Sequence, residues 1–287
     1  MKLGYYPGCS MHGTSREHEE SLLAIAKPLG LELAEIEDWS CCGACSAHAC
    51  NRTLAVALPA RNLALAEEQG HDRVIAPCAA CYNRLAMATH EVASDPQMAG
   101  RVRAVLSRPF ANRVKVLNAV EVLRELVPTL KTNVKRPLTG LKVGCYYGCL
   151  LLRPAEVTGF DDPEDPSSME EVVRACGAEP VSWRMRVECC GAGLTMARKP
   201  SVVRLGRAII SDAMASGADV IVVSCPMCHS NLDFRQQAMG LSRPMPVVYL
   251  TQLVGLALGL DSSALGLARH FVSTGGVVPR NAAQEVG

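Results

Sequence analysis

The segment Gly70-His71-Asp72-Arg73-Val74-Ile75-Ala76-Pro77-Cys78-Ala79-Ala80-Cys81 returns 147 residues later as Gly217-Ala218-Asp219-Val220-Ile221-Val222-Val223-Ser224-Cys225-Pro226-Met227-Cys228. In both copies a glycine stands eight residues before the first cysteine and an aspartate six before it. Helical periodicity lies upstream of each glycine, over residues 54–68 and 202–215. A helix stopped by glycine just past its end, followed by a short β-branched run, is an α-to-β unit. Moving outward, short strands are expected at residues 2–6 and 141–147, each leading to a Gly-Cys pair, Gly8-Cys9 and Gly148-Cys149. Thr14-Ser15-Arg16-Glu17 reads as a capping box opening a helix that Gly30 ends, and Ser168-Met169-Glu170-Glu171 opens a similar helix ended by Gly177. The chain is therefore expected to be α/β, with two pseudo-symmetric repeats, each a small, mostly parallel sheet with flanking helices. The repeats are expected at 1–130 and 141–287, joined by a linker over 131–140. The acidic, proline-bearing stretch 159–166 reads as a solvent loop within the second repeat.

The duplication is clearest in the cysteines. Of 14, ten fall into two matching sets, C-x31-CC-x35-C-x2-C and C-x39-CC-x34-C-x2-C. The first comprises Cys9, Cys41, Cys42, Cys78 and Cys81, and the second Cys149, Cys189, Cys190, Cys225 and Cys228. The 287 residues are 49% hydrophobic, enough to bury a substantial core, and the net charge of +1 gives no global attraction to nucleic acid. The most apolar run, residues 253–260, reads as a core helix, so no membrane span is expected. The first residues carry no secretory signal pattern. A cytoplasmic, reducing location is expected, and it argues against a disulfide scaffold.

Thiolates are soft donors suited to zinc and to iron–sulfur clusters. Zinc takes four ligands in a closed tetrahedron, so five cysteines per repeat leave one over. A thioredoxin-like C-x2-C has no need of a distant CC pair, and the ferredoxin run C-x2-C-x2-C-x3-C-P is absent. Adjacent side chains on a strand point to opposite faces, so each CC pair must converge in a turn, for which Gly43 and Gly191 supply the freedom. Such a set could wrap an inorganic core, fed with electrons by a partner protein. His12, His48 and His229 are candidates to donate a proton or hydrogen bond to bound sulfur. Cys145 and Cys176 read as core thiols, while Cys45 and Cys50 read as structural with a site-lining role left open. Asn83 and Asn231 are expected to tie down helices, Trp39 and Trp183 to shield the cysteine sets from water, and Met185, Met196 and Met227 to serve packing.

The cysteine pattern, with Tyr5-Tyr6-Pro7-Gly8-Cys9, Trp39-Ser40-Cys41-Cys42-Gly43, Pro77-Cys78-Ala79-Ala80-Cys81-Tyr82-Asn83, Tyr147-Gly148-Cys149 and Thr251-Gln252-Leu253, resembles the catalytic B subunit of heterodisulfide reductase end to end. The resemblance implies two non-cubane [4Fe-4S] clusters, one held by each five-cysteine set. It also implies two partners, a small ferredoxin-like [4Fe-4S] protein and a larger FAD-containing one. The implied activity is that of an oxidoreductase acting on sulfur groups, cleaving or forming a disulfide between two thiol cofactors. Cys45 and Cys50 depart from the family motif and leave room for a different substrate. Two alternatives stand beside this reading. One is the same fold in a bacterial sulfur-oxidising complex, acting on a protein-bound or organic sulfur substrate. The other is a non-catalytic electron-relay component of a larger redox complex. Two clusters facing one pocket would supply the two electrons a disulfide needs, so a site between the repeats is expected.

Overall fold

The computed structural model describes residues 1–44 and 47–277. Two four-stranded sheets, parallel at every pairing, form its two halves. The first contains β1 (Lys2–Tyr5), β2 (Glu32–Glu35), β3 (Arg73–Ile75) and β4 (Lys115–Leu117) in the order β2-β1-β3-β4. The second contains β5 (Lys142–Tyr146), β6 (Glu179–Pro180), β7 (Val220–Val223) and β8 (Val247–Tyr249) in the order β6-β5-β7-β8. Tyr5 is level with Ile75 in one sheet, and Tyr146 with Val223 in the other. Helices covering both faces make the inner strands continuously apolar, as in Val220-Ile221-Val222-Val223, all buried. In such sheets the chain reverses its direction of winding between two central strands, and ligands bind beyond the carboxyl ends there. Cys9 and Cys78 follow β1 and β3, and Cys149 and Cys225 follow β5 and β7, so both reversal points carry cysteines.

The periodic helices form close to their expected bounds, as Arg52–Glu68 and Lys199–Ala215. The first starts earlier than its apolar pattern because Asn51 Oδ1 accepts from Leu54 N at 2.9 Å, capping it. The capping box expected at Thr14–Glu17 does not form. Ser15 is the N-cap of Arg16–Ala26, but its hydroxyl is fully buried and accepts no backbone N–H. The helix Ser168–Ala175 is capped from elsewhere: Asp161 Oδ2 accepts from the backbone N–H of Ser167 and Ser168 at 3.0 and 2.8 Å. The acidic loop is thus partly structural, and Arg153 and Arg186 hold it further by pairing with Glu164 and Asp165. The expected core helix is Leu250–Ala257, with all eight residues buried. A helix, Val127–Asn133, runs into the stretch expected as linker.

The halves share one continuous hydrophobic core. Helix Arg16–Ala26 packs on helix Leu250–Ala257, where Ser21 Oγ and Thr251 Oγ1 make a buried 2.7 Å hydrogen bond. The pseudo-symmetric contact joins helix Ala119–Glu125 to Ser168–Ala175, with Arg124 Nε donating to Glu171 at 2.9 Å.

Candidate metal and redox centre

Each CC pair sits in a turn made by the following glycine. Gly43 has φ +76° and Gly191 has φ +80°. Their N–H groups donate to Cys41 Sγ at 3.4 Å and to Cys189 Sγ at 3.3 Å. The turn is clamped identically in both halves. Tyr6 Oη donates to Ser40 O at 2.7 Å and Tyr146 Oη to Glu188 O at 2.6 Å, each carbonyl lying just before its CC pair. In the first half, buried Asn62 grips Ser40 as well, accepting from its N–H at 2.8 Å and donating to its carbonyl at 2.9 Å.

The second cysteine of each CC pair meets the last cysteine of each C-x2-C. Cys42 and Cys81 Sγ are 3.3 Å apart, and Cys190 and Cys228 Sγ 3.4 Å. Gly8 and Gly148 permit this approach: a Cβ on Gly8 would lie 2.9 Å from Cys81 Sγ, and one on Gly148 would lie 3.3 Å from Cys228 Sγ. The two sets also neighbour each other, since the Cys78 and Cys225 thiols act on each other's ionisation. Within the sets, Cys41 and Cys42, Cys78 and Cys81, and Cys225 and Cys228 likewise act on each other's thiols. Cys149 and Cys189 act on each other in the same way. Hydrogen bonds from Cys41 and Cys81 pull the Cys42 thiol down to about 3. The hydrogen bond from Cys149 pulls Cys189 down to about 6. In both sets the last three cysteines are buried, while the strand-end cysteine and the first of the CC pair are more open.

The other expected residues fall out as follows. Cys145 lies buried in β5, and Cys176 is buried with its thiol pushed up to about 12 by desolvation. Cys50 is exposed, and Cys45 lies outside the described residues. His12 turns away to Glu19 and Glu35, at 3.2 and 3.7 Å, and His48 is exposed. Trp39 and Trp183 each pack on a tyrosine, Tyr6 at 5.6 Å and Tyr146 at 6.0 Å between ring centres. Those tyrosines stand in the electrostatic field of four cysteines apiece. Their role had a readable signal, because Tyr6 and Tyr146 recur before Gly8-Cys9 and Gly148-Cys149. Asn83 ties the halves together, donating to Leu150 O and Arg153 O at 3.0 and 2.8 Å. Asn231 donates to Cys190 O at 3.3 Å.

His229 belongs to a second group. With Asp233 and His270 it brings ligand-type atoms within 4.8 Å of one another, a group that could hold a metal ion. Those atoms already have protein partners. Asp233 accepts from Phe271 N and Val272 N, and His229 Nε2 meets Val247 O at 3.1 Å and His270 Nδ1 at 2.9 Å.

The model of the cysteine-rich CCG domain matches this chain twice, at residues 3–86 and 143–233. The chain belongs to the CCG-domain family of heterodisulfide reductase B-like proteins. It is similar to the membrane anchor subunit of the 8-methylmenaquinol:fumarate reductase of Wolinella succinogenes, with 35% identity over 94% of this chain and 97% of that one. It is also similar to the B subunit of the ferredoxin:CoB-CoM heterodisulfide reductase of Methanosarcina mazei, at 31% identity over 94% of each chain. A protein of Archaeoglobus profundus, itself described as like the B subunit of heterodisulfide reductase, shares 30% identity over 91% of this chain and 92% of that one. The CCG architecture recurs in the crystal structure of a hypothetical protein from Helicobacter pylori, with TM-score 0.77 and 14% identity. That match covers 95% of this chain, which spans 52% of the Helicobacter pylori chain. Membership brings with it a redox, electron-transferring role at the level of the family.

Proposed function

We propose that this chain is the catalytic iron–sulfur component of a heterodisulfide reductase-like complex. The observation carrying the reading is that each five-cysteine set closes on itself, through Cys42 and Cys81 Sγ at 3.3 Å and Cys190 and Cys228 Sγ at 3.4 Å, with Cys78 and Cys225 bringing the two sets side by side. The donor set fits the proposed groups. Soft thiols gather in each half, with Sγ–Sγ approaches of 3.3 and 3.4 Å, and thiolates are the donors that iron–sulfur clusters take. Cys9, Cys41, Cys42, Cys78 and Cys81 would hold one non-cubane [4Fe-4S] cluster, and Cys149, Cys189, Cys190, Cys225 and Cys228 the other. When bound, the pair would supply the two electrons that cleaving a disulfide requires. Tyr6, Tyr146 and Asn62 fix the CC turns, and the buried cysteines exclude water from the floor of the centre. The more open Cys9, Cys41, Cys149 and Cys189 mark the side from which a small disulfide or thiol would enter. A ferredoxin-like partner would deliver electrons, and an FAD-containing partner would supply that carrier. The thirteen free cysteines among the described residues suit a reducing, cytoplasmic setting.

A second reading is favoured by the 35% identity to the fumarate reductase anchor. There the same thiol sets would relay electrons within a quinol-linked complex. Among the described residues no helix is long and apolar enough to cross a membrane.

Anaerobic reconstitution tests both readings. About eight irons with matching sulfide are expected per chain, with a paramagnetic signal of the oxidised protein that changes on adding small thiols. One zinc per half without sulfide would end the iron–sulfur reading. Iron–sulfur content with no response to thiols or disulfides, but reduction by a menaquinol analogue, would select the second.

A further inference from the structure

Between Cys189 and Ser211 the chain carries no acid and four cations, Arg198, Lys199, Arg204 and Arg207. All four are exposed. Among the described residues none of them forms an ion pair, and the next acid, Asp212, is taken by Arg184 at 3.0 Å. The corresponding stretch of the first half, residues 41–66, is also free of acids but has only two cations. Both are paired, Arg52 with Glu91 at 3.0 Å and Arg61 with Asp38 at 2.6 Å. The unpaired charge is thus a feature of the second half. It does not serve the helix Lys199–Ala215, whose first turn holds no acid, because cations at that end oppose the helix dipole. Apolar side chains stand just before it: Met196 is 95% exposed and Leu194 39%. Methionine and arginine are enriched where proteins meet.

This surface is fastened to the second cysteine set. Residues 192–198 continue directly from the Cys189-Cys190-Gly191 turn. Their path is held by backbone bonds from Leu194 N to Gly191 O and from Arg198 N to Leu194 O, both 2.8 Å. Buried Asn231 joins the surface to the set, donating to Cys190 O at 3.3 Å and accepting from Thr195 Oγ1 at 3.1 Å. Arg235 Nη2 donates to Thr195 O at 3.1 Å. The turn itself rests on the helix that bears the cations, since a Cβ on Gly191 would meet Leu205 at 3.1 Å and Val202 at 3.4 Å. Cys189, the first cysteine of the pair, is exposed.

We propose that Leu194, Met196, Arg198, Lys199, Arg204 and Arg207 form the docking surface for an acidic iron–sulfur electron-carrier protein. This docking rests on the redox reading above and deepens it, by placing the electron-delivering partner on the second half. Charge complementarity selects the occupant. Four unpaired cations on a chain of net charge +1 attract and orient an anionic protein. A small anion would leave Met196 in water, whereas a protein face covers it. Adsorption to a membrane takes a broad apolar helix face with Trp, Phe or several Leu, and this surface offers one methionine and one leucine. The exchange moves one electron from the carrier's cluster to the group held by the second cysteine set, and no proton or covalent bond changes hands.

The test is calorimetric binding of an oxidised, acidic [4Fe-4S] ferredoxin to the full chain. It compares the wild type, Met196→Asp, the pair Arg198→Glu with Lys199→Glu, and a control pair, Arg101→Glu with Arg103→Glu, exposed in helix Pro96–Val105 of the first half. Wild-type binding should weaken about tenfold between about 0.05 and 0.5 M salt. At low salt the surface pair should bind at least about tenfold more weakly, and the control pair, which changes net charge equally, within about twofold of the wild type. Met196→Asp should also weaken binding. Glutamates at the start of a helix suit its dipole, so the melting temperature of the surface pair should hold or rise, and lost binding is not lost fold. On loaded protein, reduction by the reduced ferredoxin should slow in parallel, while reduction by dithionite keeps the wild-type rate. Unchanged binding in the surface pair, or equal weakening in both pairs, would overturn the surface. So would a wild type that binds vesicles of anionic phospholipid but not the ferredoxin. The calorimetry needs no cluster in the chain, so binding lost only in the surface variants of a chain that takes up no iron would uphold the surface and sink the redox reading instead.

Discussion

Tyr6 and Tyr146 hold the cysteine turns from one side each. Each hydroxyl reaches one carbonyl, Ser40 O or Glu188 O, and so fixes the backbone from which two sulfurs emerge. The phenol rings are buried, at 0% and 1% exposure, and a phenylalanine would fill the same space. Tyr6→Phe or Tyr146→Phe should therefore cost only about 0.5–1.5 kcal/mol of stability, read as a lower urea midpoint. The larger effect should fall on metal retention. Iron loss to a chelator should quicken in one half's set for each single variant, and a variant that releases iron at the wild-type rate would show that the clamp is unnecessary. Asn62 already holds Ser40 from a second direction, and no comparable grip appears at Glu188 among the described residues. Tyr146→Phe should accordingly be the more damaging of the two.

At the scale of elements, the sequence was most legible where one element determines its own bounds. Gly70 and Gly217 stop helices, β-branched runs make β3 and β7, and the φ of Gly43 and Gly191 was implied by the need for two adjacent cysteines to converge. It was least legible where one element completes another. Asp161 caps a helix six residues on through a carboxylate that looked like loop solvation. Ser15, in a capping pattern, turns its hydroxyl inward because the opposite half supplies Tyr249 beside it. A duplication reveals which residues correspond but not how the copies dock, so the Cys78–Cys225 meeting had no signature in spacing alone. The same limit applies to Asn83, whose helix Ala79–Ser94 is fastened to the loop after Cys149 by two donated hydrogen bonds. Asn83→Ala strands two carbonyls of that loop and should cost about 1–3 kcal/mol, measurable in urea. An unchanged midpoint would mean that the halves dock without this tie.

For the whole molecule, the decisive property is that the two sheets share one core, beside which the first half adds a small cluster of Val56, Ala60, Ala88, Met98 and Val102. Buried residues of both sheets form one cluster, and several helix pairs cross between the halves, among them Ala79–Ser94 with Ala155–Thr158. A centre shared by two thiol sets requires this, because independent halves would let the Cys78–Cys225 contact open and close. The chain carries one tryptophan in each half, which makes cooperativity measurable. Trp183→Phe leaves Trp39 as the reporter of the first half, and Trp39→Phe leaves Trp183 as the reporter of the second. The first substitution should be the costlier. Trp183 is buried and donates to Cys145 O at 3.1 Å, whereas Trp39 donates to the exposed Glu35 at 2.8 Å. The comparison is therefore made within each variant, between its fluorescence and its far-UV circular dichroism, on reduced metal-free protein in urea. Coincident transitions in both variants are the signature of a single cooperative unit. Fluorescence that moves at a different urea concentration from the helix signal would mean that one half opens alone, and a centre assembled from both could not then be held closed by the protein itself.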